Sequence, residues 1–174
     1  MENNEKEIKT ITFKPEYSGF KGQLTSSIFL ILLGVVVYYV PKPIELAMYI
    51  RDPRIYLFVS AFLGFIGVIK FLKLKIYISS HRYILNQQRL TCESGFLSKK
   101  VSNLELWRVV DIELKQSAVE YTTGGCTIVL TTQDLSDPML YIKGLNITNG
   151  KKVYNALTDY VALATKSSGV TRMM

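Results

Sequence analysis

The sequence predicts an α+β membrane protein: a hairpin of two transmembrane helices, then a small antiparallel β-barrel or sandwich closed by one C-terminal helix. Three observations predict it. Residues 22–41 form a run of 20 without a charge, and residues 55–69 form a second of 15. From Leu74 onward the apolar residues change from continuous blocks to an alternating pattern.

At about 1.5 Å per residue, a 20-residue helix covers roughly 30 Å, the thickness of a bilayer's hydrocarbon core. The stretch from Ile28 to Val37 is apolar on every side, unlike an amphipathic surface helix. Tyr38 and Tyr39 suit the aromatic belt, and Pro41 and Pro43 then stop the helix. A cleavable signal peptide fits poorly. The run begins after more than 20 residues, its leading segment balances four Lys against four Glu, and no small-x-small site follows Tyr39.

The second run is short by itself. Lys70 and Lys73 stand among Phe71, Leu72 and Leu74, however, and can snorkel, which extends the span to about residues 55–72. Too little chain remains to bury two such helices in a soluble core. The linker at residues 42–54 is short, so the helices are expected as antiparallel neighbours. Ser60, Gly64 and Gly67, with Ala61, offer small surfaces for close helix packing. The N-terminal flank carries four Lys, the first 20 residues after Ile69 carry five Lys or Arg, and the linker carries three. Both termini are therefore expected in the cytoplasm.

Residues 73–166 form the expected β domain and 167–174 a frayed tail, with an N-terminal cytoplasmic segment at 1–21 ahead of the helices. Ile76 and Ile78 alternate with Lys75 and Tyr77, which predicts a first strand continuous with the second helix. Strands are expected on either side of Asn86, Gln87 and Gln88, and Gly95 marks the next turn. Val101 leads into Leu104 and Leu106. Val110, Ile112 and Leu114 then alternate with Asp111, Glu113 and Lys115 as a half-buried strand. Gly124 and Gly125 break the chain before a strand at 126–132, and residues 134–138 turn it again before Met139. Val153, Leu157, Tyr160, Val161 and Ala164 fall at helical spacing, with Thr148 or Asn149 as the expected cap.

The net charge of +7 is scattered, without an Arg-rich run, so nucleic acid is not an expected partner. Cys92 and Cys126 lack metal spacing and are expected to be reduced. His81 is the only histidine. No nucleophile–base pair or phosphate loop appears. Thr122 to Gly125 lacks the Lys of a P-loop and is expected to be a strand turn. Asp111 and Glu113 are expected on a solvated sheet face. No catalytic residue, metal or cofactor is expected.

Taken in order, Tyr83, Leu85, Arg89 and Leu90, then Gly95 and Leu97, then Leu106, Val109, Asp111 and Ile112, then Gln116 and Ser117 resemble the bacterial pleckstrin-homology (PH) domain of the second type. Gly124–Gly125, the strand at 127–130 and Gly144 with Asn146 continue the resemblance, which covers roughly residues 74–163. It implies a curved sheet of about seven strands closed by the last helix, in a protein of the bacterial inner membrane. It implies a binding and assembly module and supplies no catalytic residues. Phosphoinositide binding in eukaryotic relatives of the fold depends on a basic loop, here near residues 79–82, where Arg82 is the only Lys or Arg.

Two functions follow as expectations. The first is a non-catalytic, membrane-anchored scaffold that forms homo-oligomers or joins a larger membrane complex through its β domain. The second is an accessory subunit of a transporter or channel that acts through its helices. Residues 24–40 and 55–69 lack the charges that ion pathways use, which favours the scaffold. Candidate interface residues are Trp107, Arg108 and the basic pair Lys99 and Lys100. Trp107 suits either the core or an interface.

Overall fold

The computed structural model describes residues 10–39, 53–134 and 138–169. The expected proline stop of the first helix and residues 42–52 of the linker lie outside these residues, as do the centre of the turn at 134–138 and the end of the tail. The chain divides into two compact units. One is Gly22–Tyr77, and the other joins Met1–Lys21 to Ile78–Met174.

Two helices, α1 (Lys21–Tyr39) and α2 (Pro53–Ser80), account for the first unit. Both are long and apolar enough to cross a membrane. Their side chains are largely uncovered, with Phe29 61% and Phe62 65% exposed. A soluble core helix would hide such residues. The helices meet through small residues. A Cβ on Gly34 would stand 2.8 Å from the Ser60 carbonyl oxygen and 3.0 Å from the Gly64 nitrogen. One on Gly67 would stand 2.7 Å from Ile31 Cγ1 and 3.0 Å from the Ser27 carbonyl oxygen. The late part of each helix therefore faces the early part of the other, which makes them antiparallel. Ser27 and Ser60 are buried, and their hydroxyls donate to the Gln23 and Leu57 carbonyls of their own helices at 2.8 and 2.9 Å.

The second unit contains seven strands among the described residues. One antiparallel sheet has the order β1 (Ile11–Phe13), β2 (Arg82–Leu85), β3 (Arg89–Ser94), β4 (Lys100–Glu105). The other has the order β5 (Val109–Lys115), β6 (Gly125–Thr132), β7 (Met139–Asn146). A short helix, α3 (Ala118–Thr123), links β5 to β6, and the long α4 (Ile147–Ser167) follows β7. Leu85, Leu90, Ile128, Leu130, Ile142 and Leu145 project from the strands into one core. Val153, Leu157, Val161 and Ala164 enter it from α4. Their spacing of three and four residues puts them on one helical stripe, and α4 packs with it on β5, β6 and β7.

Four expectations are corrected. The segment 74–78 is not a first strand; it belongs to α2. No Gly or Pro interrupts the chain between Gly67 and His81, so the helix continues to Ser80, and five alternating residues were too few to signal a strand. Residues 11–20, expected apart from the 73–166 domain, join it. β1 pairs with β2, Ile11 opposite Leu85, and Phe13 stacks on Tyr83 with ring centroids 5.3 Å apart. Thr122 and Thr123, expected in a strand turn with Gly124 and Gly125, instead end a short helix, Ala118–Thr123. The cap of α4 is Asn146, whose side chain accepts the Thr148 N–H at 3.3 Å, a few residues earlier than expected.

Beyond β1, a 3-10 turn at Tyr17–Phe20 docks on the other sheet. The Glu16 N–H donates to the Gly144 carbonyl at 2.8 Å, and Asn149 Nδ2 donates to Glu16 Oε1 at 2.8 Å. Gly19, Gly125 and Gly144 permit this approach. A Cβ on Gly19 would overlap the Gly144 backbone, and one on Gly144 would overlap the Phe20 ring. The N-terminal segment thus ties to both sheets.

The α3 turn is held by a capping box. Ser117 Oγ accepts the Glu120 N–H at 3.3 Å, and Glu120 Oε2 accepts the Ser117 N–H at 2.8 Å. Thr127 Oγ1 donates to the other carboxylate oxygen at 2.8 Å. Burial pushes the Glu120 carboxyl up, but the hydrogen bonds from Ser117 and Thr127, with the Lys143 charge, hold it below the ordinary value. A lowered folded-state pKa stabilises above the unfolded value and ceases to do so as pH falls through the folded one. Glu120→Ala is therefore expected to lower stability by about 1 kcal/mol at neutral pH. The deficit should shrink with acidification, as read from denaturation curves followed by fluorescence of Trp107, the only tryptophan.

Candidate interaction site

Strand β4 sets the geometry of the candidate surface. Lys100 at its start pairs with Ser94, and Glu105 at its end pairs with Arg89. At about 3.3 Å per residue the two ends stand roughly 17 Å apart. The four candidate interface residues therefore do not form one patch. Lys99 and Lys100 mark one end of β4, and Trp107 with Arg108 follow the other.

At the second end, a 3-10 turn at Leu106–Arg108 carries the chain from one sheet to the other. Leu106 is buried, which leaves the next two side chains at the rim. Trp107 packs in part against the core, and its indole N–H donates to Glu105 Oε2 at 2.9 Å. Arg108 Nε stands 3.2 Å from the same oxygen, with its guanidinium 5.0 Å from the ring centroid. Trp107 is thus both core and surface: one part of the ring rests on the apolar interior, and Arg108 covers another. Next to it is a cleft of about 160 Å³, lined also by Gln88, Arg89 and the α4 residues Ala164 and Ser167. A pinned Trp–Arg pair loses little conformational freedom on binding, and these are the residue types enriched in binding hot spots.

At the first end, Lys14, Ser79, Ser80, His81, Arg82, Glu93, Gly95 and Lys99 are among the residues lining a cleft of about 220 Å³. Arg82 lies opposite Glu93 in register. The β3–β4 turn projects beside it. Gly95 has φ +121° and a Cβ there would overlap the Ser98 carbonyl, so the turn requires glycine. Phe96 and Leu97 at the tip are 67% and 96% exposed. The sequence points here to the Gly95 turn, the Lys99–Lys100 pair and the loop near residues 79–82. The exposure of the tip and the arrival of Lys14 depend on the tertiary fold.

Of the helix-packing candidates, Ser60 and Gly67 meet α1 directly, whereas Gly64 contributes its backbone and its own Cβ position is open. Gly34 and Ser27, their partners, were missed because α1 was read only for its apolarity.

The remaining chemistry is sparse. Cys92 is half-buried and Cys126 buried, and burial pushes both thiols up to about 11, with the Glu120 charge adding at Cys126. Thiols so raised are protonated and weakly nucleophilic at neutral pH. Glu113 and Asp111 lie on one strand; Lys115 Nζ stands 2.5 Å from Glu113, and Asp111 accepts the Ile112 N–H at 2.8 Å. Among the described residues, no group of three or more His, Cys, Asp or Glu is placed to hold a metal ion.

A family model for the bacterial PH domain matches residues 26–161, more than half of the chain. No curated protein and no solved structure matches.

Proposed function

The chain belongs to the bacterial PH domain family, and from that premise we propose that it is a membrane-anchored assembly subunit. Domains of this kind are generally non-catalytic modules that bind protein or lipid. In this reading α1 and α2 span a bacterial inner membrane with both termini in the cytoplasm. They hold the two-sheet domain at the surface, where it contacts further copies of itself or another membrane protein. Confinement to two dimensions raises effective concentration, so a modest contact suffices.

The observation that carries this reading is the Trp107–Arg108–Glu105 cluster beside its open cleft. Among the described residues, β1 and β4 form the edges of one sheet and β5 and β7 those of the other, and such edges offer backbone groups for pairing. Mild detergent extraction followed by mass measurement tests it. The intact protein is expected above monomer mass, and the Trp107→Ala/Arg108→Ala variant is expected to fall toward monomer while remaining folded. Monomer mass for the intact protein would count against the reading.

A further inference from the structure

We propose that the Phe96–Leu97 tip of the β3–β4 turn is a second membrane contact, seated in the interfacial layer of an anionic bilayer. The inference rests on the reading that α1 and α2 lie in lipid, and adds a lipid-facing surface distinct from the Trp107 cluster.

Leu97 is 96% and Phe96 67% exposed, two large apolar side chains side by side on a tight turn. The turn is not slack, because Gly95 and the Ser98 carbonyl close its base. Burying such a pair is favourable, at about 1.5–3 kcal/mol per fully buried side chain.

Lys99 and Lys100 follow the tip after Ser98, and Lys14 and Arg82 line the same cleft as Gly95 and Lys99. Glu93 is the one acidic residue of that lining. Apolar side chains flanked by lysines suit an interface in which acyl chains lie under anionic phosphates. A protein partner would need an apolar pocket ringed by acidic groups, and nothing in the chain requires one.

α2 runs from Pro53 to Ser80. With its span at about residues 55–72, the helix continues roughly 12 Å past the hydrocarbon core, through the headgroup layer to its outer side. Its last residues, Ser79 and Ser80, line the cleft shared with Gly95 and Lys99. The tip therefore belongs to the end of the domain that chain connectivity holds at the lipid surface.

The test uses the full chain reconstituted in vesicles of phosphatidylcholine, with or without phosphatidylglycerol. A bimane probe is attached to Leu97→Cys, Tyr121→Cys or Phe62→Cys. In anionic vesicles the probe at 97 is expected to be quenched by spin-labelled lipid and shielded from aqueous iodide, whereas the probe at 121 stays open to iodide. Lys99→Glu/Lys100→Glu should lower lipid contact at 97 by at least roughly five-fold. A probe at 97 as open to iodide as that at 121, while the probe at 62 is quenched by lipid, would overturn the inference and leave the anchor intact. Iodide access at both 62 and 97 would overturn the anchor and the inference together. Shielding at 97 that persists in detergent beside a co-purifying protein would assign the tip to a protein partner and overturn the lipid reading.

Discussion

Gly144→Ala is expected to destabilise the PH-like domain by about 3 kcal/mol, a large part of the 5–15 kcal/mol typical of a folded domain. Two penalties act together. Gly144 has φ +80°, a left-handed conformation that costs an alanine about 1 kcal/mol. Its new Cβ would also overlap the ring of Phe20, which is 8% exposed, and would force that ring out of its site. Phe20 anchors the N-terminal segment, so β1 and the Glu16 contacts should loosen with it. Gly124 supplies the control. Its φ is +79°, but a Cβ there meets nothing within 4 Å. Gly124→Ala should therefore show the backbone cost alone. Denaturant curves of the full chain followed by Trp107 fluorescence give the comparison. Equal losses in the two variants would mean that the Phe20 contact contributes nothing.

Gly34→Leu and Gly67→Leu are each expected to separate α1 from α2, with a loss of about 1–3 kcal/mol or more from overpacking. The neighbours in the way are chiefly backbone: the Ser60 carbonyl and Gly64 nitrogen for one, Ile31 nitrogen and the Ser27 carbonyl for the other. Backbone cannot rotate aside as a side-chain end can, so the helices must move apart. Apolar helices in lipid have no hydrophobic force between them, and close packing of small residues is what holds them. Gly64→Ala should be nearly silent, since its Cβ position is open. Helical melting in mild detergent, followed by circular dichroism, should rank Gly34→Leu and Gly67→Leu well below Gly64→Ala and wild type. A Gly64→Ala loss as large as theirs would contradict this geometry.

The two apolar helices were legible because a charge-free run needs no context to be recognised. The strands around Asn86–Gln88 and the apolar stripe of α4 were legible for a similar reason, since each pattern is local. In β5 Ile112 and Leu114 face inward as expected, but a register shift buries Val109 and leaves Val110 exposed. The boundary between α2 and the domain was not. Lys75 to Ile78 alternates like a strand, yet nothing there breaks a helix that is already running, and elongation costs less than nucleation. β1 has only three residues and is defined by its pairing with β2, a contact that spans about 70 residues of chain. α3 is six residues long, and its signal is the capping-box spacing of Ser117 and Glu120, of which only Ser117 enters the family resemblance. The split of the candidate surface was invisible for another reason. Lys99 and Trp107 are eight residues apart in sequence, and only the extended course of β4 between them sets them at opposite ends.

The assembly reading depends on whether the Trp107 end of the domain meets protein in the membrane. The most direct measurement places a photoreactive side chain at Gln88, which lines the Trp107 cleft, and another at Tyr121, which is 76% exposed on α3. Both chains are irradiated in native membranes. The account predicts one discrete protein adduct from position 88, a second copy or a single partner by mass, absent from position 121 and lost in Trp107→Ala. Monomer alone from both positions, or the same adducts from both whether or not Trp107 is present, would contradict it.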